Sequence, residues 1–202
     1  MVQYLNRMVY QQVTGAWMRE IGAQDLDAVE ISGTRSMRYG FRSHRNYAFP
    51  DYDICDTPFI DPDGTPVRAD IILAEQVWEH LDRPYRATRN VYEMLNPGGY
   101  FWLAAPFFCR IHGVPVDCSR WTARGLKNLL IECGFDEDRI VARQWGNKEC
   151  ALGDMEPKWA IYEPGKSSLA NQPRWPVMAW ALAQKAGPEQ KQIDVERLAA
   201  MT

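Results

Sequence analysis

Residues 69–106 read ADIILAEQVWEHLDRPYRATRNVYEMLNPGGYFWLAAP, and the way this stretch folds decides the class of the chain. Ala69 to Ala74 is a short apolar run without helical period, preceded by the turn residues Asp61, Pro62, Asp63 and Gly64, as a buried strand is. Pro84 to Leu95 changes the period. Tyr85, Thr88, Val91, Tyr92 and Leu95 share one face, and Pro stands in the first turn, where its missing N–H removes no helical bond. Asn96-Pro97-Gly98-Gly99 stops this helix, because Pro cannot continue it and Gly accepts a left-handed cap. Tyr100 to Pro106 is a second apolar strand. Strand, helix, strand in this order implies parallel pairing through a right-handed crossover.

The pattern extends in both directions. Tyr4, Leu5, Met8, Val9, Val13, Trp17, Met18 and Ile21 recur at three- to four-residue spacing and predict a helix over 3–22. Asp27 to Ser32 (DAVEIS) reads as a buried strand, and the Arg- and Gly-rich stretch from Gly33 to Asn46 as a loop. Thr122 to Cys133 is a helix, with Thr122 as N-cap and Gly134 as C-cap. Arg139 to Trp145 and Val177 to Leu182 are two last strands, separated by an insert over 147–175. The expectation is an α/β fold, doubly wound with a mostly parallel sheet. It forms one domain over 1–187, followed by a polar tail over 188–202. Ligands in such folds lie beyond the carboxyl ends of the strands, which separates candidate site residues from mere turns. Pro97-Gly98-Gly99 precedes a strand and therefore belongs to the opposite end.

Composition narrows the class. The 202 residues are 46% hydrophobic and 24% charged, an ordinary globular mix. A formal charge of −3 supplies no general pull toward nucleic acid or an anionic membrane. No apolar run is long enough to span a bilayer, and no signal-peptide pattern opens the chain. The five cysteines, Cys55, Cys109, Cys118, Cys133 and Cys150, form no C-x-x-C pair, so reduced thiols, a cytoplasmic setting and no bound metal are expected.

Four segments in order resemble the class I S-adenosylmethionine-dependent methyltransferase superfamily, of the type 11 kind. They are Val29 to Thr34 (VEISGT), Tyr52 to Phe59 (YDICDTPF), Ala69 to Leu81 (ADIILAEQVWEHL) and Val91 to Pro106 (VYEMLNPGGYFWLAAP). With Arg120 to Leu126 (RWTARGL) and Glu132 to Phe135 (ECGF) the likeness covers roughly residues 28–145. The last two of the four segments are the specific ones. The resemblance implies a seven-stranded sheet whose final strand runs antiparallel beside the fifth, with S-adenosylmethionine laid across the strand ends. It assigns the cofactor to Glu30, Ile31, Ser32 and Gly33 after the first strand, to Asp53 at the adenine amino group and Ile54 on the adenine face, and to Glu75 and Gln76 near the reacting methyl.

This chain departs from the pattern in two ways. Ser32-Gly33-Thr34-Arg35-Ser36 holds one glycine where the family has three. Only 22 residues separate Glu30 from Asp53, too few for a helix, a strand and another helix, so one helix–strand pair has been trimmed and with it the acidic residue that holds the ribose. Plainer readings stand beside several assignments. Glu30 could be a structural carboxylate paired with Arg35, Asp53 a turn residue, and Glu79-His80 an orienting device for the next helix.

The loop after the fifth strand, Phe107 to Trp121, should overhang an acceptor. His112 is the side chain there best poised to take a proton, with Asp117 to orient it, and these are the candidate catalytic residues. Arg35, Arg38, Arg42, His44 and Arg45 form a basic cluster compatible with a sugar-linked or phosphorylated small-molecule acceptor, although a solvated loop is the default. Nucleic acid is not expected as substrate, since the Asn/Asp-Pro-Pro-Tyr/Phe box is missing after the fourth strand. Membrane association is not expected either, and a homodimer is compatible with the reading. The rival from another class is a catalytically inactive methyltransferase-like binding or partner module. A nicotinamide oxidoreductase would need a G-x-G-x-x-G that Gly33-Thr34-Arg35 does not supply.

Overall fold

The computed structural model packs apolar clusters on both faces of the central sheet, which is why Ile71 to Ala74 and Tyr100 to Ala105 read as continuous apolar runs. It describes residues 2–113, 115–188 and 192–201, so Val114 of the 107–121 loop and parts of the 188–202 tail lie outside the described residues. The elements in chain order are α1 (Leu5–Glu20), β1 (Asp27–Ile31), β2 (Ser43–Tyr47), β3 (Ala69–Glu75), α2 (Pro84–Met94), β4 (Leu95–Pro106), α3 (Ala123–Glu132), β5 (Ile140–Trp145), α4 (Lys148–Gly153), β6 (Met178–Gln184) and α5 (Val195–Ala200). The strand order is β2-β1-β3-β4-β6-β5. The pairs β1–β2, β1–β3 and β3–β4 are parallel, and β6 runs antiparallel between β4 and β5. This is the doubly wound, Rossmann-like methyltransferase fold.

Alternation along β3 sorts the core. Ile72 and Ala74 join the cluster under α2 and α3 with Val91, Phe101 and Leu126. Ile71 and Leu73 join the opposite cluster with Val13, Trp17, Trp102 and Trp180. A strand buried on both faces must read as a continuous apolar run, and β3 does. Thr122 caps α3 as expected, its Oγ1 accepting from Gly125 N at 3.0 Å. The C-terminal segment is tied to the core, because Trp17 Nε1 donates to Leu198 O at 2.8 Å.

One expectation is corrected. The stretch from Gly33 to Asn46 is not a plain loop: it holds a 3-10 turn (Arg35–Tyr39) and the start of β2. Its residues, SHRNY, show no apolar period because β2 is an edge strand, held by backbone pairing to β1 alone in the register Asp27↔Ser43 to Ile31↔Tyr47. The described sheet has six strands, one fewer than the seven of the resemblance, in keeping with the trimmed helix–strand pair expected from the short Glu30–Asp53 spacing. The strand expected beyond β2 is replaced by the irregular segment 48–68, and the helix after β1 shrinks to the 3-10 turn. Among the described residues no helix is long and apolar enough to cross a membrane.

Candidate active site at the strand tips

The chain leaves β1 and β3 by the same move. Ser32 follows β1 with φ 56° and Gln76 follows β3 with φ 61°, the two non-glycine residues with positive φ among those described. Each is held there by a backbone bond to a neighbouring strand: Ser32 N donates to Tyr47 O at 2.9 Å and Gln76 N to Ala104 O at 2.9 Å. The left-handed turn swings the following chain away from the sheet end and opens space above it.

That space is a cavity of about 530 Å³. Ile31, Ser32, Asp53, Ile54 and Gln76 all line it, so the structure brings together five of the eight residues assigned to the cofactor. Phe49, Val77, His80, Leu81 and Arg83 also line it and were not foreseen as such. Asp53 is in addition a turn residue, since its Oδ1 accepts from Cys55 N at 2.8 Å.

Glu30, Gly33 and Glu75 are placed elsewhere. The Glu30 carboxylate is buried beneath the 3-10 turn and accepts from Arg35 N at 3.1 Å, Ser36 N at 2.9 Å, the Ser36 hydroxyl, and His44 Nε2 at 2.9 Å. Gly33 makes this fold-back feasible, because a Cβ there would stand 2.7 Å from Glu30 Oε1. Glu75 is nearly buried and takes Arg7 at 2.9 Å, Tyr10 Oη at 2.9 Å and Arg38 at 3.1 Å, with Arg35 at 3.7 Å. Burial, with the Glu75 charge added to it, pushes the Tyr10 hydroxyl far above its ordinary range. These two carboxylates consume much of the basic cluster. Arg42 pairs with Asp27 and Asp70, and Arg45 with Asp61. The cluster is thus an internal clamp rather than an open phosphate site.

A second cavity of about 340 Å³ abuts the first, sharing Gln76 and His80. Tyr4, Asn6 and Arg7 line it from the N-terminal segment, Cys109 and His112 from the loop after β4, and Asp154 and Trp159 from the 147–175 insert. Nothing in the sequence pattern pointed to the first and last of these groups, because insert and N-terminus meet only through tertiary contacts such as Leu5 N to Ala160 O at 2.8 Å.

His112 and Asp117 do meet. The His112 backbone N–H donates to Asp117 Oδ2 at 2.8 Å, and the ring Nδ1 lies 3.3 Å from the same oxygen. Arg120 grips both carboxylate oxygens and, foremost among the causes, holds the Asp117 carboxyl well below the usual range. The His112 pKa is raised, chiefly by the carboxylate of Glu79. Burial lifts the neighbouring Cys109 thiol to about 11, so it remains protonated at neutral pH. The loop itself is anchored at the base of the site: Cys118 N and Ser119 N donate to Glu79 O at 2.7 and 3.1 Å.

A family model described as a methyltransferase domain matches residues 13–103. No curated protein matches the chain. Among solved structures, the chain is similar to an S-adenosylmethionine-dependent methyltransferase, a possible histamine N-methyltransferase, from Thermotoga maritima. The identity is 13% and the TM-score 0.52, over 90% of this chain and 91% of that one. A second from Archaeoglobus fulgidus gives 14% identity and a TM-score of 0.52, with 87% and 94% covered. Phosphoethanolamine N-methyltransferase 2 of Haemonchus contortus, solved with S-adenosylmethionine, gives 10% and 0.51, with 88% and 53% covered.

Proposed function

We propose that the chain is a class I S-adenosylmethionine-dependent methyltransferase acting on a small-molecule acceptor, with the two adjoining cavities as cofactor and acceptor sites. One observation carries the reading: the cavity of about 530 Å³ beyond the tips of β1 and β3 stays open despite the trimmed front half. Its size lies within the range of small-molecule and cofactor pockets. An inactive partner module, the rival reading, has no need to keep such a hollow open.

The residues present fit the cofactor. Ile31, Ile54 and Phe49 give apolar walls for an adenine ring, and the Asp53 carboxylate suits its amino group. Ser32 and Gln76 stand where the amino-acid end would pass. When bound, S-adenosylmethionine supplies a methyl group made electrophilic by its sulfonium. Gln76 and His80 border both cavities, so they mark the passage between methyl and acceptor. His112 faces the acceptor cavity and can take a proton from a hydroxyl or amine, with Asp117 holding the ring and Arg120 holding Asp117. From the loop after β4, Pro115 and Val116 line the first cavity, and Cys109 and His112 the second. Positioning of this kind supplies several kcal/mol in a reaction whose electrophile arrives already activated.

A sugar-linked or phosphorylated acceptor is the narrower proposal, and its support is Arg35, which lines the second cavity, is more than half exposed and stands 3.7 Å from Glu75, outside the tight part of the clamp. All five cysteines are free thiols, in keeping with a cytoplasmic setting. The test is calorimetry with S-adenosylmethionine and S-adenosylhomocysteine. Micromolar binding is expected, and no heat from well-folded protein would remove the cofactor assignment.

A further inference from the structure

Glu79 is the anomaly of the site. Its side chain is fully buried, yet among the described residues neither carboxylate oxygen has a hydrogen-bond partner. A buried carboxylate left without partners is destabilising by several kcal/mol and is ordinarily neutralised, paired or bound to a metal. The groups it faces are two imidazoles: His80 Nε2 and His112 Nε2 each lie 3.8 Å from Glu79 Oε1. Those separations are too long for hydrogen bonds. They suit ligands arranged around one ion, since atoms about 2.1 Å from a tetrahedral metal stand about 3.4 Å from one another.

The surrounding contacts prepare both rings for that purpose. His80 Nδ1 lies 2.5 Å from Val116 O, and a carbonyl can only accept, so the neutral ring carries its proton on Nδ1 and keeps its lone pair on Nε2. His112 Nδ1 faces two acceptors, Asp117 Oδ2 at 3.3 Å and Arg110 O at 3.4 Å, which select the same tautomer. Metal-bound histidines are oriented in this way, through a carboxylate or carbonyl on the remote nitrogen. The rings also stack edge-to-face with centroids 5.1 Å apart, which fixes their mutual angle.

We infer that Glu79, His80 and His112 form a binding site for one divalent first-row transition-metal ion, such as zinc, at the border of the cofactor and acceptor cavities. The three candidate ligand atoms lie within 4.8 Å of one another. Two nitrogens and one carboxylate oxygen are a ligand set for such ions that leaves a coordination position free. His80 and His112 both line the second cavity, from which a further ligand could reach such an ion. Resting on the methyl-transfer reading, the ion would hold an acceptor through a hydroxyl or carboxylate oxygen. Metal ligation uses the same Nε2 lone pair as proton abstraction, so in the metal-bound protein His112 is a ligand; the cation would make the acceptor hydroxyl acidic, and its proton would pass to solvent through the second cavity. The sequence reading expected no metal, because the ligands come from two segments far apart in the chain and form no compact motif.

The experiment is a Co²⁺ titration of chelator-stripped protein, read by visible absorption and repeated as competition by Zn²⁺. One equivalent per chain is expected, with ligand-field bands and no thiolate charge-transfer band. Glu79→Gln and His112→Asn should each weaken binding at least tenfold and abolish the rise in melting temperature that the metal gives the unaltered protein. His80→Asn replaces Glu79→Gln if the latter does not fold. Absence of binding at about 100 µM metal, or binding undiminished in the folded variants and therefore an adventitious ion only, would overturn the inference. S-adenosylhomocysteine binding to the stripped protein separates the two readings: retained without a Co²⁺ site, the metal inference falls alone, and lost beside an intact Co²⁺ site, the cofactor assignment falls alone.

Discussion

Ser32 and Gln76 occupy equivalent points on neighbouring parallel strands, each the first residue past the strand end, each left-handed, each on the wall of one cavity. Left-handed backbone at a non-glycine residue costs on the order of 1–2 kcal/mol and persists where its surroundings demand it. Coincidence of two such residues at the tips of β1 and β3 marks the spot where the sheet yields stability for an opening.

A first prediction concerns that strain. Ser32→Gly removes the steric penalty and should leave thermal stability unchanged or slightly higher. Ser32→Val adds a branched Cβ to a left-handed residue and should lower stability by about 1–2 kcal/mol, together with S-adenosylhomocysteine affinity. Denaturant melts and calorimetry on the two variants check both. Equal stability of the valine and glycine forms would mean that the turn is not held in this conformation.

Asp53 serves both as a turn residue and as a wall of the cavity, and two substitutions measure what its acceptor oxygen contributes to cofactor binding. Asp53→Asn keeps an oxygen that can accept from Cys55 N–H and from an adenine amino group, so cofactor affinity should fall only slightly. Asp53→Ala removes both and should weaken S-adenosylhomocysteine binding about tenfold, the worth of a hydrogen bond or somewhat more. An alanine variant that binds as well as the parent would assign Asp53 to the turn alone.

Much of the fold is legible in the sequence because β3, α2 and β4 state their periods without conflict, and both faces of the sheet demand apolar residues. The edge strand β2 is illegible for the opposite reason: with one hydrogen-bonded neighbour and the sequence SHRNY, its pattern carries no signature of a strand. At the site, Ser32 and Gln76 lie just past strand ends, where residues meet a common space, while Ile31, Asp53 and Ile54 are assigned by the family resemblance. Glu30 and Glu75 obey the same rule of position yet turn inward. What decides their direction is the supply of donors in the shortened 33–46 segment and in α1, namely Ser36, His44, Arg7 and Arg38, and such partners are visible only in three dimensions. Glu79-His80 stood in plain view after β3, but the third member of the cluster, His112, comes from another segment.

Glu75 gives the third prediction. It ties α1 to the 3-10 turn through Arg7, Tyr10 and Arg38, and its side chain is 4% exposed. Glu75→Gln leaves several guanidinium groups without a counter-charge, and loss of one partner of a buried ion pair is destabilising by about 3 kcal/mol. The partial exposure of the arginines reduces this, and about 2 kcal/mol is expected in urea unfolding. S-adenosylhomocysteine affinity should change less than about threefold, because Glu75 does not line the first cavity. A large loss of affinity at unchanged stability would return Glu75 to the cofactor site.

The fourth prediction is a pH dependence at the other end of β1, where the trimmed front half has to be secured. Asp27 opens β1 and pairs in register with Ser43 of β2. Its Oδ1 accepts from Arg42 Nε at 2.9 Å and from Ser43 Oγ at 2.7 Å, while Arg42 also reaches Asp70 on β3 at 3.2 Å. Hydrogen bonding to Arg42, and then to Ser43, draws the Asp27 carboxyl down to about 2. In the unfolded chain an aspartate titrates near about 3.9. The folded state therefore prefers the ionised form, and the contribution is fully present above that unfolded value. It is lost progressively as pH falls from about 4 toward about 2, where the folded-state carboxyl takes up its proton. Because the pair is partly open to water and screened by salt, its contribution should shrink visibly at high ionic strength. The check is a carboxyl titration followed by NMR in low and high salt, with a midpoint near 2 expected in the parent and a return toward the ordinary range in Arg42→Ala. An Asp27 midpoint near 4 in the folded parent would show that β2 is held to β1 by its backbone ladder without this clasp.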